Sequence, residues 1–98
     1  MAGSKNDEGK PQLSLIPPEA LRGMAAALAY GAGKYGRNNY KKGFKRSRLL
    51  DAALRHLTAY AHGEDNDPES GVSLLGHAGA SIAMLLQNIA TGVSEDDR

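Results

Sequence analysis

Three groups of residues in this sequence have the types and spacing to do chemistry. The first is basic. From Lys34 to Arg48 stand seven cationic residues, Lys34, Arg37, Lys41, Lys42, Lys45, Arg46 and Arg48, and no acidic one. Lys34, Arg37, Lys41 and Lys42 suit phosphate oxygens, which accept charge-assisted hydrogen bonds. Tyr35, Asn38, Asn39 and Tyr40 are interleaved with them and can stack on a base or hydrogen-bond its edge. The second group is acidic. Glu64, Asp65, Asp67 and Glu69 fall together with no basic residue among them. Carboxylates at such a turn can converge on a hard cation such as Mg²⁺, which takes oxygen ligands and bridges to phosphates. The third group is the histidines: His56 beside Arg55, and His77, which shares a stripe with Ser70, Leu74 and Ser81 at steps of four, three and four.

Each group has a plainer reading. The loop is an ordinary charged surface, Asp67 caps a helix, the histidines are structural, and His62 favours a helix C-terminus. The combination is more telling than its parts. A cationic block and an anionic block in one small domain suit an anionic ligand that carries a metal ion. Nucleic acid is the competing anion, since basic residues alternate with aromatics. The acidic block that follows argues against a broad nucleic-acid footprint.

Length sets the frame for these groups. The chain has 98 residues, which points to one domain. A core this small is marginal alone, because a small domain buries a smaller fraction of its surface. With one Phe and no Trp, Ala, Leu, Met and Tyr must do the packing, so a homo-oligomer is expected. The absence of Cys rules out disulfides and thiolate metal sites and fits a cytoplasmic protein. No apolar run is long enough to span a membrane, and the polar start, Met1 to Lys10, does not resemble a signal peptide.

The elements that must position the groups read as helices. Residues 1–16 are polar and flexible in composition, with Leu13-Ser14-Leu15-Ile16 as a short apolar anchor expected to dock in extended form. Residues 17–92 form the helical domain, and 93–98 are a polar tail expected to fray. A first helix starts at Pro17-Pro18, with Glu19 in its first turn. Its buried stripe is Leu21, Met24, Ala25, Leu28, Ala32 and Tyr35. Gly36 to Arg46 is the basic loop. Ser47 is the expected N-cap of a second helix, whose apolar face is Leu49, Leu50, Ala53, Leu54, Leu57, Tyr60 and Ala61, ending near Gly63. Asp67-Pro68-Glu69 carries the start signal of a third helix, and Gly71 moves its regular part toward Ser73. Its expected core stripe is Leu75, Ala78, Ile82, Leu85, Leu86 and Ile89. No segment alternates with period two, so the fold class is all-α, a small bundle of three main helices completed by oligomerisation.

Gly33-Lys34-Tyr35-Gly36 with Asn39-Tyr40 resembles a "Lys-Tyr-Gly, then Asn-Trp" segment. Arg55-His56-Leu57, Gly63-Glu64, Asp67, Glu69-Ser70-Gly71 and His77-Ala78 resemble a second motif of the same family. That family is the phage-enriched dATP/dGTP diphosphohydrolases, distantly similar to MazG-like all-α nucleotide pyrophosphohydrolases. The resemblance spans roughly Leu13 to Leu86. It implies hydrolysis of a purine deoxynucleoside triphosphate to monophosphate and pyrophosphate, in the cytoplasm of an infected host where the gene is carried by a phage. It implies a divalent metal, Mg²⁺ first with Mn²⁺ or Co²⁺ as alternatives, held by Glu64, Asp67 and Glu69. Substrate would meet Lys34, Tyr35, Arg37, Asn39, Tyr40 and Arg55. His56, Glu69 and His77 are the candidate catalytic residues, with His56 or Glu69 as general base. Leu74 and Ser81 depart from the family pattern, which carries His and Asn there.

Three functions compete on this reading. The first is the metal-dependent diphosphohydrolase. The second is a catalytically silent protein that sequesters a nucleotide or a cyclic-nucleotide defence signal, motivated by Leu74 in the polar stripe. The third is a nucleic-acid-binding or purely structural helical protein. The first leads the second narrowly, and the third stands well behind.

Overall fold

The computed structural model describes residues 3–98, so the first two residues of the polar segment 1–16 lie outside the described residues. The all-α expectation holds. The elements are helices α1 (Pro18–Tyr35), α2 (Arg46–Ala61) and α3 (Leu74–Ala90), with a 3₁₀ turn at Leu13–Leu15 before α1 and another at Asn39–Lys42 between α1 and α2. Among the described residues there is no strand, only the isolated bridges Lys45–Glu95 and Asn66–Ser73. No helix among them is long and apolar enough to cross a membrane.

α1 begins as its prolines dictate, with Pro17 at the cap and Pro18 in the first turn. It ends at Gly36, whose φ of 95° favours glycine and whose N–H closes on the Ala32 carbonyl at 2.9 Å. α3 begins at Leu74, with Ser73 Oγ accepting from Gly76 N–H. Asp67 is therefore not the cap of a continuous helix. It organises a separate loop, in which its N–H donates to the Val72 carbonyl at 2.8 Å and its carboxylate accepts from Ser70 N–H.

The start of α2 departs from expectation. Ser47 lies inside the helix, and Lys45 at the cap position makes no side-chain cap. The C-terminal tail supplies the cap instead. Asp97 accepts from Ser47 N–H at 2.9 Å and from the Ser47 hydroxyl. Arg46 N–H donates to the Glu95 carbonyl, and its guanidinium reaches Ser94 and Asp96. The polar tail expected to fray is thus fastened, because four unpaired N–H groups at a helix start attract carboxylates.

α3 is the centre of the fold. Both α1 and α2 pack on it, with hardly any contact between them. Small residues set the distances: a Cβ built on Gly76 would stand 2.5 Å from the Gly23 carbonyl oxygen of α1. The buried apolar residues are Ala27, Leu49, Ala53, Leu74, Ala78 and Ala80. Much of the expected core is not buried in the single chain. Leu21 and Tyr35 of α1, Leu54, Leu57 and Tyr60 of α2, and Leu75, Ile82, Leu86 and Ile89 of α3 are exposed. α3 carries large apolar residues on more than one face, so periodicity alone could not say which of them meets α1 and α2. The structure buries Ala78, as expected, and turns Leu74, Ser81 and Asn88 inward with it. The apolar Leu13-Ser14-Leu15-Ile16 patch forms a 3₁₀ turn rather than an extended anchor, with Leu13 and Leu15 exposed.

Candidate active site

Because α1 and α2 stand apart on α3, a cleft opens between them. α1 and α2 are its walls, α3 its floor, and the 3₁₀ turn with the loop before it its rim. The space measures about 980 Å³. Lys34, Tyr35, Arg37, Asn39, Tyr40 and Arg55, the residues expected to meet substrate, all line it. So do His56, Glu69 and His77, the candidate catalytic residues, and Asp67. Glu64 does not. It lines a separate open hollow of about 580 Å³ with Asp51, Arg55, Thr58 and His62. Leu74 is buried in the packing of α3 and does not line the cleft, whereas Ser81 does.

The floor holds an imidazole pair. His56 of α2 stacks on His77 of α3 with ring centroids 4.9 Å apart. Burial pushes the His56 imidazolium down from its ordinary value, and the neighbouring His77 adds to that. His77 Nε2 lies 2.7 Å from Ser70 Oγ. Val72 N–H donates to the same oxygen at 3.1 Å, which leaves the hydroxyl proton free to face His77. The loop is stiffened in turn by Asp67, whose acidity is raised first by the Ser70 backbone N–H. Tyr30 meets His77 edge-on at 6.2 Å.

At the mouth of the cleft Lys34 Nζ donates to Glu69 Oε1 at 2.8 Å. That contact raises the lysine above its ordinary value. It is also the first cause of the lowered Glu69 value, ahead of Tyr30. The Tyr30 hydroxyl is raised in turn, chiefly by Glu69. Lys34 also lies 5.3 Å from the Tyr35 ring centroid. Arg37, Lys41 and Arg55 add positive charge to the lining.

The expected metal set does not gather. Among the described residues no three His, Asp or Glu side chains stand close enough to hold an ion. Glu64 lies in the other hollow, Asp67 is committed to Ser70, and Glu69 is committed to Lys34. Of the three expected carboxylates, Asp67 and Glu69 face the cleft and Glu64 does not.

Sequence reasoning missed Tyr30 and underrated Ser70. Tyr30 stands one helical turn before Lys34, a spacing that puts both on one face. Ser70 was visible as a member of the stripe that ends at Ser81 and within the Glu69-Ser70-Gly71 motif, with no role attached.

Comparison with known proteins gives this geometry a context. The chain is 39% identical, over all 98 of its residues, to a dATP/dGTP diphosphohydrolase of Salmonella phage PMBT28. It spans about a third of the length of that relative, 33%. No solved structure matches it. The profile of a family described as dATP/dGTP diphosphohydrolase, N-terminal, matches residues 1–98, and the chain belongs to that family.

Proposed function

We propose that the cleft binds a purine deoxynucleoside triphosphate and hydrolyses it to the monophosphate and pyrophosphate. One observation carries this reading: cationic Lys34, Arg37 and Arg55, drawn from both walls and the rim, share a single cleft with the His56–His77 pair. The name of the phage relative supports the substrate class.

The chain's own residues divide the work. Lys34, Arg37 and Arg55 take the charge of the phosphate oxygens, which develops further as the bond breaks. Tyr35, Asn39 and Tyr40 at the rim meet the base. A water oxygen attacks the α-phosphorus, and the bond from that phosphorus to the bridging oxygen breaks. Pyrophosphate leaves with the bonding electrons. His56, kept neutral by its surroundings, accepts the water proton. His77, itself held by Ser70, stacks on its ring.

Divalent metal enters this proposal as part of the substrate. Mg²⁺ is commonly held by one or two carboxylates together with substrate phosphates rather than by an all-protein cage. Asp67 and Glu69 are the two carboxylates on the cleft that would meet it, Glu69 after parting from Lys34. Its contribution would be to neutralise phosphate charge.

The test is incubation with dATP and with dGTP, with and without Mg²⁺, Mn²⁺ or Co²⁺, in ¹⁸O-labelled water. The expected products are labelled monophosphate and unlabelled pyrophosphate. No turnover of any purine triphosphate sinks the hydrolytic reading. A second reading, sequestration without turnover, rests on Leu74, an apolar residue buried where the family pattern carries His. Calorimetry followed by recovery of intact nucleotide supports that reading, and rapid cleavage of the bound nucleotide eliminates it.

A further inference from the structure

Asn88 of α3 is 1% exposed, more deeply buried than any residue of the apolar core. Neither its Oδ1 nor its Nδ2 has a hydrogen-bond partner among the described residues. A buried amide left unpaired weakens a fold, and a leucine of similar volume would avoid that cost. The position of Asn88 along α3 gives the amide a use. His77, Ser81, Met84 and Asn88 follow one another at steps of four, three and four, so they share one face of the helix. The first three floor the cleft. Asn88 continues that floor one turn beyond Met84, beneath the surface of the open space. The 3₁₀ turn Asn39–Lys42 packs on α3. Gly43, just after that turn, stands against Val93, whose N–H donates to the Asn88 carbonyl at 3.0 Å. The unpaired amide therefore lies at the rim end of the floor, opposite the end held by His77.

We propose that Asn88 reads the base: a purine displaces Met84 and pairs its N7 edge with the Asn88 amide. This rests on the nucleotide reading of the cleft and adds to it the residue that selects a purine. Adenine presents a donor at N6 beside an acceptor at N7, and an asparagine amide matches the two with Oδ1 and Nδ2. Guanine presents acceptors at N7 and O6, so it takes the Nδ2 donor and leaves Oδ1 unpaired. Cytosine and thymine have no N7. Adenine is thus the full match, guanine a partial one and the pyrimidines the poorest. Tyr35, Asn39 and Tyr40 at the rim are left to lie against the face of the base while Asn88 takes its edge. Met84 suits a displaceable cover, because its side chain is unbranched and has three rotatable bonds. Eleven residues of helix, about 16 Å, separate Asn88 from His77. That span leaves room for the sugar and the α-phosphate between the base and the imidazole pair.

Calorimetry with the non-hydrolysable α,β-methylene analogues of dATP, 7-deaza-dATP and dCTP, each with Mg²⁺, tests this. The 7-deaza base keeps the shape of adenine and lacks only the N7 acceptor. The wild type is expected to bind the dATP analogue roughly tenfold more tightly than its 7-deaza form, the effect of one hydrogen bond to a buried amide, and to bind the dCTP analogue most weakly. Asn88→Leu is expected to bind the dATP analogue and its 7-deaza form alike. Should leucine prove too large for the site, Asn88→Ala carries the same comparison. An amide with a purely structural role, satisfied by buried solvent, predicts no penalty for the 7-deaza base. Equal wild-type affinity for the dATP analogue and its 7-deaza form would overturn the proposal and leave triphosphate binding standing. So would a 7-deaza penalty that persists in the Asn88 variant, or a dCTP analogue bound as tightly as the dATP analogue. Failure to bind any of the three would overturn it together with the nucleotide reading.

Discussion

His56 and His77 are stacked in a part-buried floor, and two imidazolium cations cannot share that space cheaply. The unfolded chain accepts a proton at His56 that the folded chain resists. Stability therefore falls as pH drops through the ordinary imidazole range near ~6.5, and it is insensitive to this group above that range. Asp67 and Glu69 work in a lower window. Both are held below their ordinary values, so their contribution is present above about pH 4 to 4.5 and is lost below it. Thermal melts at fixed ionic strength are expected to show two separate losses on acidification, and His56→Gln to remove the upper one only. Lys34 makes a second prediction at this scale. Its partner in the free protein is Glu69, and phosphate must win it away. Lys34→Met is expected to weaken triphosphate binding roughly ten- to a hundredfold, the range for a hydrogen bond to a charged group. Calorimetry measures it, and unchanged affinity would remove Lys34 from the phosphate grip.

Helices are held to one another by features that their own sequences advertise unevenly. The Pro17-Pro18 start and Gly36 stop of α1 were legible, because proline and glycine act through local backbone geometry. The cap of α2 was not, because Asp97 arrives from fifty residues away in sequence. Local rules put Ser47 in that role, while the tail takes it in space. Asp97→Ala is expected to lower the urea midpoint, because it leaves the first N–H groups of α2 without their acceptor. The inward face of α3 was also hidden, since the helix turns polar Ser81 and Asn88 into the packing and leaves Leu75, Ile82 and Leu86 outside. What fixed it was small size rather than hydropathy: Gly76 against Gly23 lets α1 and α3 approach closely. Gly76→Ala would ordinarily favour a helix. Here the added methyl meets backbone that cannot rotate away, and a net destabilisation of about 1–3 kcal/mol is expected. A rise in the urea midpoint would show that the crossing is looser than its geometry.

At the scale of the molecule, both walls of the cleft rest on α3 and hardly touch each other. The lining was largely legible, since Lys34 to Tyr40, Arg55, His56, Asp67, Glu69 and His77 all reach one space. Glu64 was misplaced because neighbours in sequence across a turn can face different hollows. A ligand that grips Lys34 on one wall and Arg55 on the other supplies the contact that the walls lack. It should act as a brace as well as a guest. Saturation with a non-hydrolysable deoxynucleoside triphosphate at a hundred times its Kd is expected to stabilise the fold by about 2.7 kcal/mol. For a domain of this size that is a rise of roughly 10–20 °C in Tm. If the brace is real, Lys34→Met and Arg55→Met are coupled. Either one releases one wall, and the double variant loses less than the sum of the two. Strict additivity in a double-mutant cycle, read from the ligand-induced shift in Tm, would mean that the two walls bind their ligands independently.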